Sequence, residues 1–217
     1  MPRIADHEER RRHIALAVCE LISDQGLDAV TVARTASTAG MSVGLVQHYF
    51  RTKDDMLLHA FKEVTDRIRG RADDRIRAGI EHRRPLAHVL AEALAQFLPL
   101  DETRRTEFRV TRAFAGRALD APALAEVDVA TAHRLRDDVA RAVHNGKECG
   151  EVAAELDPWP AAVRLTAVTE GLAVQIYRDT DGADGADRAP VSALATSVMA
   201  AELATVFTGA CRQYDKK

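Results

Sequence analysis

Three cysteines, at positions 19, 149 and 211, are too few and too scattered for a disulfide framework or a metal cluster. They suit reduced, partly buried thiols. No apolar run reaches the roughly 18 residues that a membrane-spanning helix needs, so no membrane partner is expected. The opening stretch MPRIADHEERRRH has no apolar signal core, which argues for retention in the cytoplasm. There is no glycine-rich phosphate loop and no Cys-x-x-Cys. The eight histidines never stand four apart. His7 and His13, like His82 and His88, fall on different helix faces, so neither a metal nor a cofactor is expected. Asp179, Asp181 and Asp184 resemble the start of a calcium loop, but the distal Glu is missing and the stretch reads as a turn. A net charge of -3 does not advertise nucleic-acid binding.

What the chain does have is length and helical periodicity. Its 217 residues, 47% hydrophobic and 29% charged, suffice for one or two compact domains with a real core. Everything periodic has the helical period, and no convincing strand run is found. The expected fold is all-α, with about nine helices: a three-helix N-terminal head over residues 1–52 and a helical body over residues 53–217.

The densest signal lies in residues 31–57, TVARTASTAGMSVGLVQHYFRTKDDML. Thr31 is a good N-cap for a helix from about Val32 to Ala39, with Val32, Ala36 and Ala39 at helical spacing. Gly40 suits a left-handed helix exit, and Met41 would plug the space before the next helix. Ser42 caps a second short helix, roughly Val43 to Tyr49. Val46 and Phe50 would face inward there, leaving Gly44, Leu45, Gln47 and His48 outward. Thr52 and Asp55 form a capping-box pattern that opens a long helix, with Asp54 and Asp55 at the positive end of its dipole. Two helices around a short Gly-containing turn make a helix-turn-helix. Hydrophobic spacing alone is equally compatible with a packing unit that binds nothing. Residue identity favours DNA: Gln47 and His48 can bond base edges, Leu45 can touch a thymine methyl, and Tyr49 and Lys53 can hold phosphates. The expected DNA-contacting set is Thr31, Arg34, Ser42, Val43, Gly44, Leu45, Gln47, His48, Tyr49 and Lys53. Arg10, Arg11 and Arg12 could join them or form a solvated helix face.

The run G-M-S-V-G-L-V-Q-H-Y-F-R-T-K-D-D-M-L resembles the recognition segment of the TetR family of transcriptional repressors. The likeness rests on Gly40, Ser42, Gly44, the His48-Tyr49-Phe50 triplet, Lys53, Asp54 and Leu57, and extends over about residues 8–60. The wording V-G-L-V-Q-H-Y-F is nearest to a branch that includes choline-responsive betaine regulators, which does not fix the ligand. The chain departs from many family members at Ala33, where an arginine is common and Arg34 follows instead. It departs also at Gln47, often a tyrosine, which suggests a different base preference.

Further helices are expected from about 53 to 80, from Pro85 to near Phe97, over 104–119, from Asp120 to Asn145-Gly146, from Asp157-Pro158 onward, and from about Pro190 to Gln213. The stripe on the long helix runs from Leu57 through Ile68 to Ile76 and Ile80. Residues 179–189 read as a loop. Small residues beside aromatics can leave a cavity, so Phe97, Phe108, Arg112, Phe114, Trp159, Glu170 and Tyr177 are the candidate ligand-binding residues. An ordinary core role is open for each aromatic, and a pocket is implied mainly by the resemblance. Leu165, Leu172, Leu194, Val198 and Leu203 lie on helices apolar over a wide arc and are the candidate dimer interface; burial within one protomer is the alternative. The resemblance implies a homodimeric regulator that binds a double-stranded DNA operator and answers to a small-molecule effector. Two other classes are compatible with the helical body alone, an enzyme and a protein-interaction module. No catalytic constellation supports the first.

Overall fold

The computed structural model describes residues 2–179 and 189–212, with side chains from His7 onward in the first helix. The expected loop over 179–189 lies almost wholly outside the described residues. Among those described there are nine α-helices: α1 (Pro2–Gln25), α2 (Val32–Thr38), α3 (Val43–Tyr49), α4 (Lys53–Glu81), α5 (Leu86–Leu94), α6 (Glu102–Ala118), α7 (Pro122–Cys149), α8 (Pro158–Arg178) and α9 (Val191–Ala204). Single 3₁₀ turns stand at Leu27–Ala29 and Ala95–Phe97. The fold is all-α, and the described residues contain only one isolated antiparallel bridge, Val152 with Phe207. No described helix is long and apolar enough to cross a membrane.

The chain packs as two compact units, Met1–Arg67 with Arg105–Val129, and Ile68–Arg104 with Ala130–Lys217. The first unit is built on apolar faces with helical spacing. Ile14, Val18 and Ile22 of α1, Met56, Leu57 and Val64 of α4 and Val110 of α6 are buried. Phe61 and Phe114 stack nearly parallel, with ring centroids 3.8 Å apart. Arg117 donates both arms of its guanidinium to Asp54, at 2.9 Å each. That fork holds the Asp54 carboxyl below its ordinary range. Asp54, expected to serve the helix dipole, therefore also ties the start of α4 to α6. Burial pushes the Cys19 thiol up to about 11, so it is a protonated core residue.

In the second unit, Val89, Leu90, Ala93 and Leu94 of α5 are buried, as are Leu165, Leu172 and Ile176 of α8 and Ala195, Met199 and Leu203 of α9. A Cβ on Gly79 would lie 2.4 Å from a methyl of Val89, so α4 and α5 meet where only glycine fits.

Three sequence expectations need correcting here. The helix after Asp120 passes through Asn145-Gly146 to Cys149. Gly146 is used for close packing, since a Cβ there would sit 2.6 Å from Val152 and 3.0 Å from Phe207; the left-handed stop is Gly150, at φ 92°. The last helix ends at Ala204, not near residue 213, because Val206 and Phe207 turn into the core and Phe207 bridges to Val152. Ile76 and Ile80 leave the inner stripe of α4 and are exposed.

Candidate nucleic-acid interface

The local rules that shape the head are met one by one. Thr31 accepts a hydrogen bond from the Arg34 N–H at 3.2 Å and starts α2. Gly40, at φ 63°, ends it, and the Met41 N–H returns to the Ala36 carbonyl at 2.9 Å, a left-handed exit with its long backbone bond. Ser42 then accepts from the Leu45 N–H at 3.2 Å and starts α3. Such a cap contributes on the order of 1 kcal/mol. A seven-residue helix needs that help, because helices this short are marginal alone. Thr52 and Asp55 exchange hydrogen bonds of 3.1 and 3.0 Å, a complete capping box at the head of α4.

On α3, Val46 is fully buried and Phe50, just after it, is nearly so. Gly44, Gln47 and His48 are exposed, as is Val43; Leu45 and Tyr49 are half-buried. Nothing lies within 4 Å of where a Cβ on Gly44 would be. Packing within the chain therefore does not call for glycine at this position, and the clearance opens outward. His48 packs edge-on against Tyr49 at 5.3 Å, and His7 lies 4.7 Å from the same ring. Lys53 is half-buried at the first residue of α4.

Behind α3, Phe50 is clamped. The Arg11 guanidinium lies 4.7 Å over its ring, and His59 sits 5.3 Å away. Burial, with the Arg11 charge adding to it, holds the His59 imidazole below its ordinary value. Arg12 pairs with Glu63 at 3.3 Å. Arg11 thus braces α1 behind α3, a use that neither sequence reading foresaw, while Arg12 stays exposed as a solvated helix face would have it. Arg34 is also engaged, donating to the Gln25 side chain.

The other candidate sets fare differently. Phe108, Arg112 and Phe114 belong to the first packing unit and Phe97, Trp159, Glu170 and Tyr177 to the second. Phe114 is wholly enclosed against Phe61 and is a core residue. Arg112, Trp159 and Glu170 are exposed, while Phe97, Phe108 and Tyr177 are half-buried. Leu165, Leu172 and Leu203 are buried within the single protomer, because their faces of α8 and α9 build its own core. Leu194 and Val198 remain exposed, at 45% and 43%. Trp159 and Val163 of α8, one turn apart, are exposed as well. Sequence spacing also concealed one cluster: Cys149, Glu151 and Cys211 come together in the second unit.

Two family comparisons bear on this geometry. Residues 15–60 match the profile of bacterial regulatory proteins of the tetR family, and residues 85–204 match that of the BetI-type transcriptional repressor, C-terminal. The chain belongs to the TetR family. It is a transcriptional regulator with a DNA-binding N-terminal part and a ligand-binding C-terminal part, and not an enzyme. Among TetR-family relatives, the chain is 29% identical to the HTH-type transcriptional regulator PksA of Bacillus subtilis over 191 residues, covering 82% of this chain and 84% of that one. It is 32% identical to the regulator BetI of Cronobacter sakazakii over 93 residues, 43% of each chain. A transcriptional regulator from Rhodococcus shares the fold with a TM-score of 0.74 at 27% identity, over 91% of this chain and 96% of that one. A regulator from Saccharomonospora viridis, solved in complex with choline, shares it with a TM-score of 0.71 at 22% identity, over 91% and 95% of the two chains.

Proposed function

We propose that this TetR-family protein is a ligand-responsive repressor that binds a palindromic operator as a homodimer and is released by a small organic effector. Residues 1–52 read the DNA, and residues 53–217 bind the effector and dimerise. The observation that carries the reading is the division of α3: Val46 and Phe50 are buried, while Gly44, Gln47 and His48 are exposed around an open glycine. Gln47, His48 and Leu45 would face base edges, and Tyr49, Lys53 and the capped N-termini at Thr31 and Ser42 would face phosphates. Arg34, tied to Gln25, would contact DNA only by giving up that bond. A two-fold pair would place two copies of α3 in successive major grooves, about 34 Å apart.

The pairing surface we propose is the exposed apolar stripe of α8 and α9, formed by Val163, Leu194 and Val198. Leu165, Leu172 and Leu203 support it from beneath. The effector site draws on Phe97, Trp159, Glu170 and Tyr177, all of the second packing unit. Release requires the effector to prefer the state that cannot hold DNA; moving from 99% competent to 1% takes about 5.5 kcal/mol of differential affinity. α4 runs unbroken over residues 53–81 from one packing unit into the other, and a change in its tilt would carry the signal. Such a protein works in the cytoplasm, beside the chromosome.

The test is selection of bound duplexes from a random pool, repeated with small metabolites, choline first because a fold relative was solved with it. An inverted repeat that is lost on adding an effector supports the proposal. Recovery of no common sequence by a folded dimer refutes it, as does a His48→Ala, Tyr49→Ala double variant that still holds the selected operator.

A further inference from the structure

Cys149, at the end of α7, and Cys211, beyond α9, approach one another beside a buried carboxylate. One ligand atom from each of Cys149, Glu151 and Cys211 lies within 4.8 Å of the other two. We propose that these three residues form a binding site for a thiophilic divalent cation of the zinc class.

The donors are held in place by more than chance proximity. The Glu151 carboxylate accepts from the Leu86 N–H at 2.9 Å and the Ala87 N–H at 3.3 Å, so it is fixed at the start of α5. The Cys149 thiol points at the same carboxylate, 3.7 Å from Oε1, and at the Gly146 carbonyl, 3.5 Å away. The segment that carries Cys211 is pinned alongside: the Gly209 N–H donates to the Glu151 carbonyl at 2.9 Å, and the Arg212 N–H to the Cys149 carbonyl at 2.8 Å. Only glycine permits that approach at 209, where a Cβ would lie 2.2 Å from the Gly150 carbonyl oxygen. Cys149 and Glu151 are buried, whereas Cys211 is half-buried and leaves a way in.

The donor set selects the ion. Two thiolates and a carboxylate suit a borderline-soft cation and not magnesium or calcium. In a tetrahedral zinc site with Zn–S near 2.3 Å, two sulfurs stand about 3.8 Å apart; Cys149 and Glu151 already approach at 3.7 Å, and the widest donor separation needs to close by no more than about 1 Å. Water from the Cys211 side would take the fourth position. Both thiols give their protons to solvent as the ion enters: one cation in, two protons out, with no change of oxidation state. Burial, partly offset by a hydrogen bond from the Glu151 backbone and reinforced by the Cys211 thiol, pushes the Cys149 thiol up to about 11. Because two protons leave as the ion enters, affinity should rise with pH. The bound ion would staple residues 207–212 to the end of α7.

The experiment uses the reduced full-length protein without DNA, so its outcome is independent of operator binding. Zinc is added, the excess is dialysed away, and metal per chain is measured; cobalt(II) is then substituted and its spectrum recorded. One zinc per chain and a sulfur-to-cobalt charge-transfer band are expected. Cys211→Ser, at a half-exposed position, should weaken zinc binding by about a hundredfold or more, since even outer-shell losses reach that figure. Equal affinity of the wild type and a folded Cys211→Ser variant would overturn the site. So would a cobalt spectrum without the sulfur band, which needs no variant, or a reduced chain that retains no zinc.

Discussion

Gln47→Ala is the sharpest perturbation of the proposed DNA contact. Gln47 is exposed on α3, next to Val46, which is fully buried. Losing an exposed amide should change folding stability by no more than about 0.5 kcal/mol. A side-chain amide that bonds an adenine edge bidentately discriminates by about 1–3 kcal/mol. A two-fold protein makes the contact twice, so the operator complex should weaken by about 2–6 kcal/mol, or roughly 30-fold to 20,000-fold. The loss should be specific. One symmetric pair of base positions in the selected operator should relax, and the salt dependence should stay the same, because no phosphate contact is removed. Lys53→Ala should behave in the opposite way, weakening all sequences alike and lowering the salt slope by about one per subunit. Fluorescence anisotropy on the selected operator at several salt concentrations, with thermal melts alongside, measures each quantity. If Gln47→Ala binds within twofold of the wild type with unchanged base preference, α3 does not read bases through this residue.

Four further outcomes follow from the packing. Gly79→Ala should destabilise by about 1–3 kcal/mol through overpacking against Val89, and Val89→Ala should recover part of that loss; equal melts for wild type and Gly79→Ala would contradict it. Phe114→Ala should cost about 3–5 kcal/mol in urea denaturation, because the side chain is fully buried and stacked on Phe61; a ligand-pocket role alone would leave the unliganded protein unaffected. Leu194→Glu with Val198→Glu should yield a monomer by sedimentation with unchanged helicity, since both side chains are exposed; an intact dimer would place the pairing surface elsewhere. His59, held below its ordinary value near 6.5, contributes stability that is present above that value and lost as pH falls through the lowered native one, so melts from pH 7 to 5 should fall less steeply in His59→Gln.

The head was legible because its boundaries are written in neighbouring residues. Thr31, Gly40, Ser42 and the Thr52–Asp55 pair each act within four positions, and each makes the bond that its type predicts. The body yielded less because its decisive contacts join distant positions. Asn145-Gly146 has the look of a helix stop, yet Gly146 is there for Val152 and Phe207, and the chain turns four residues later. Periodicity identified α8 and α9 as apolar over a wide arc but could not tell which part faces the protomer's own core. Leu165, Leu172 and Leu203 took that side, and Val163, Leu194 and Val198 were left outside. The grouping of Cys149 with Cys211 depends on the turn after α9, where the sequence suggested that the helix continues.

The economy of α3 explains why residue identity there carries functional information. The fold asks little of the helix: a hydroxyl at Ser42 to start it, Val46 to anchor its underside, and Phe50 to close it against Arg11 and His59. The exposed positions, Val43, Gly44, Gln47 and His48, add little to that core. Where stability does not dictate a residue, its chemistry is free to answer to something outside the chain. An exposed valine and an unfilled glycine would be poor choices for a purely solvated face, where better helix formers serve. They suit a surface that must come close to another, with an amide and an imidazole beside them to bond what it meets. Base preference could therefore change through Gln47 and its exposed neighbours while the caps and core of the head remain as they are.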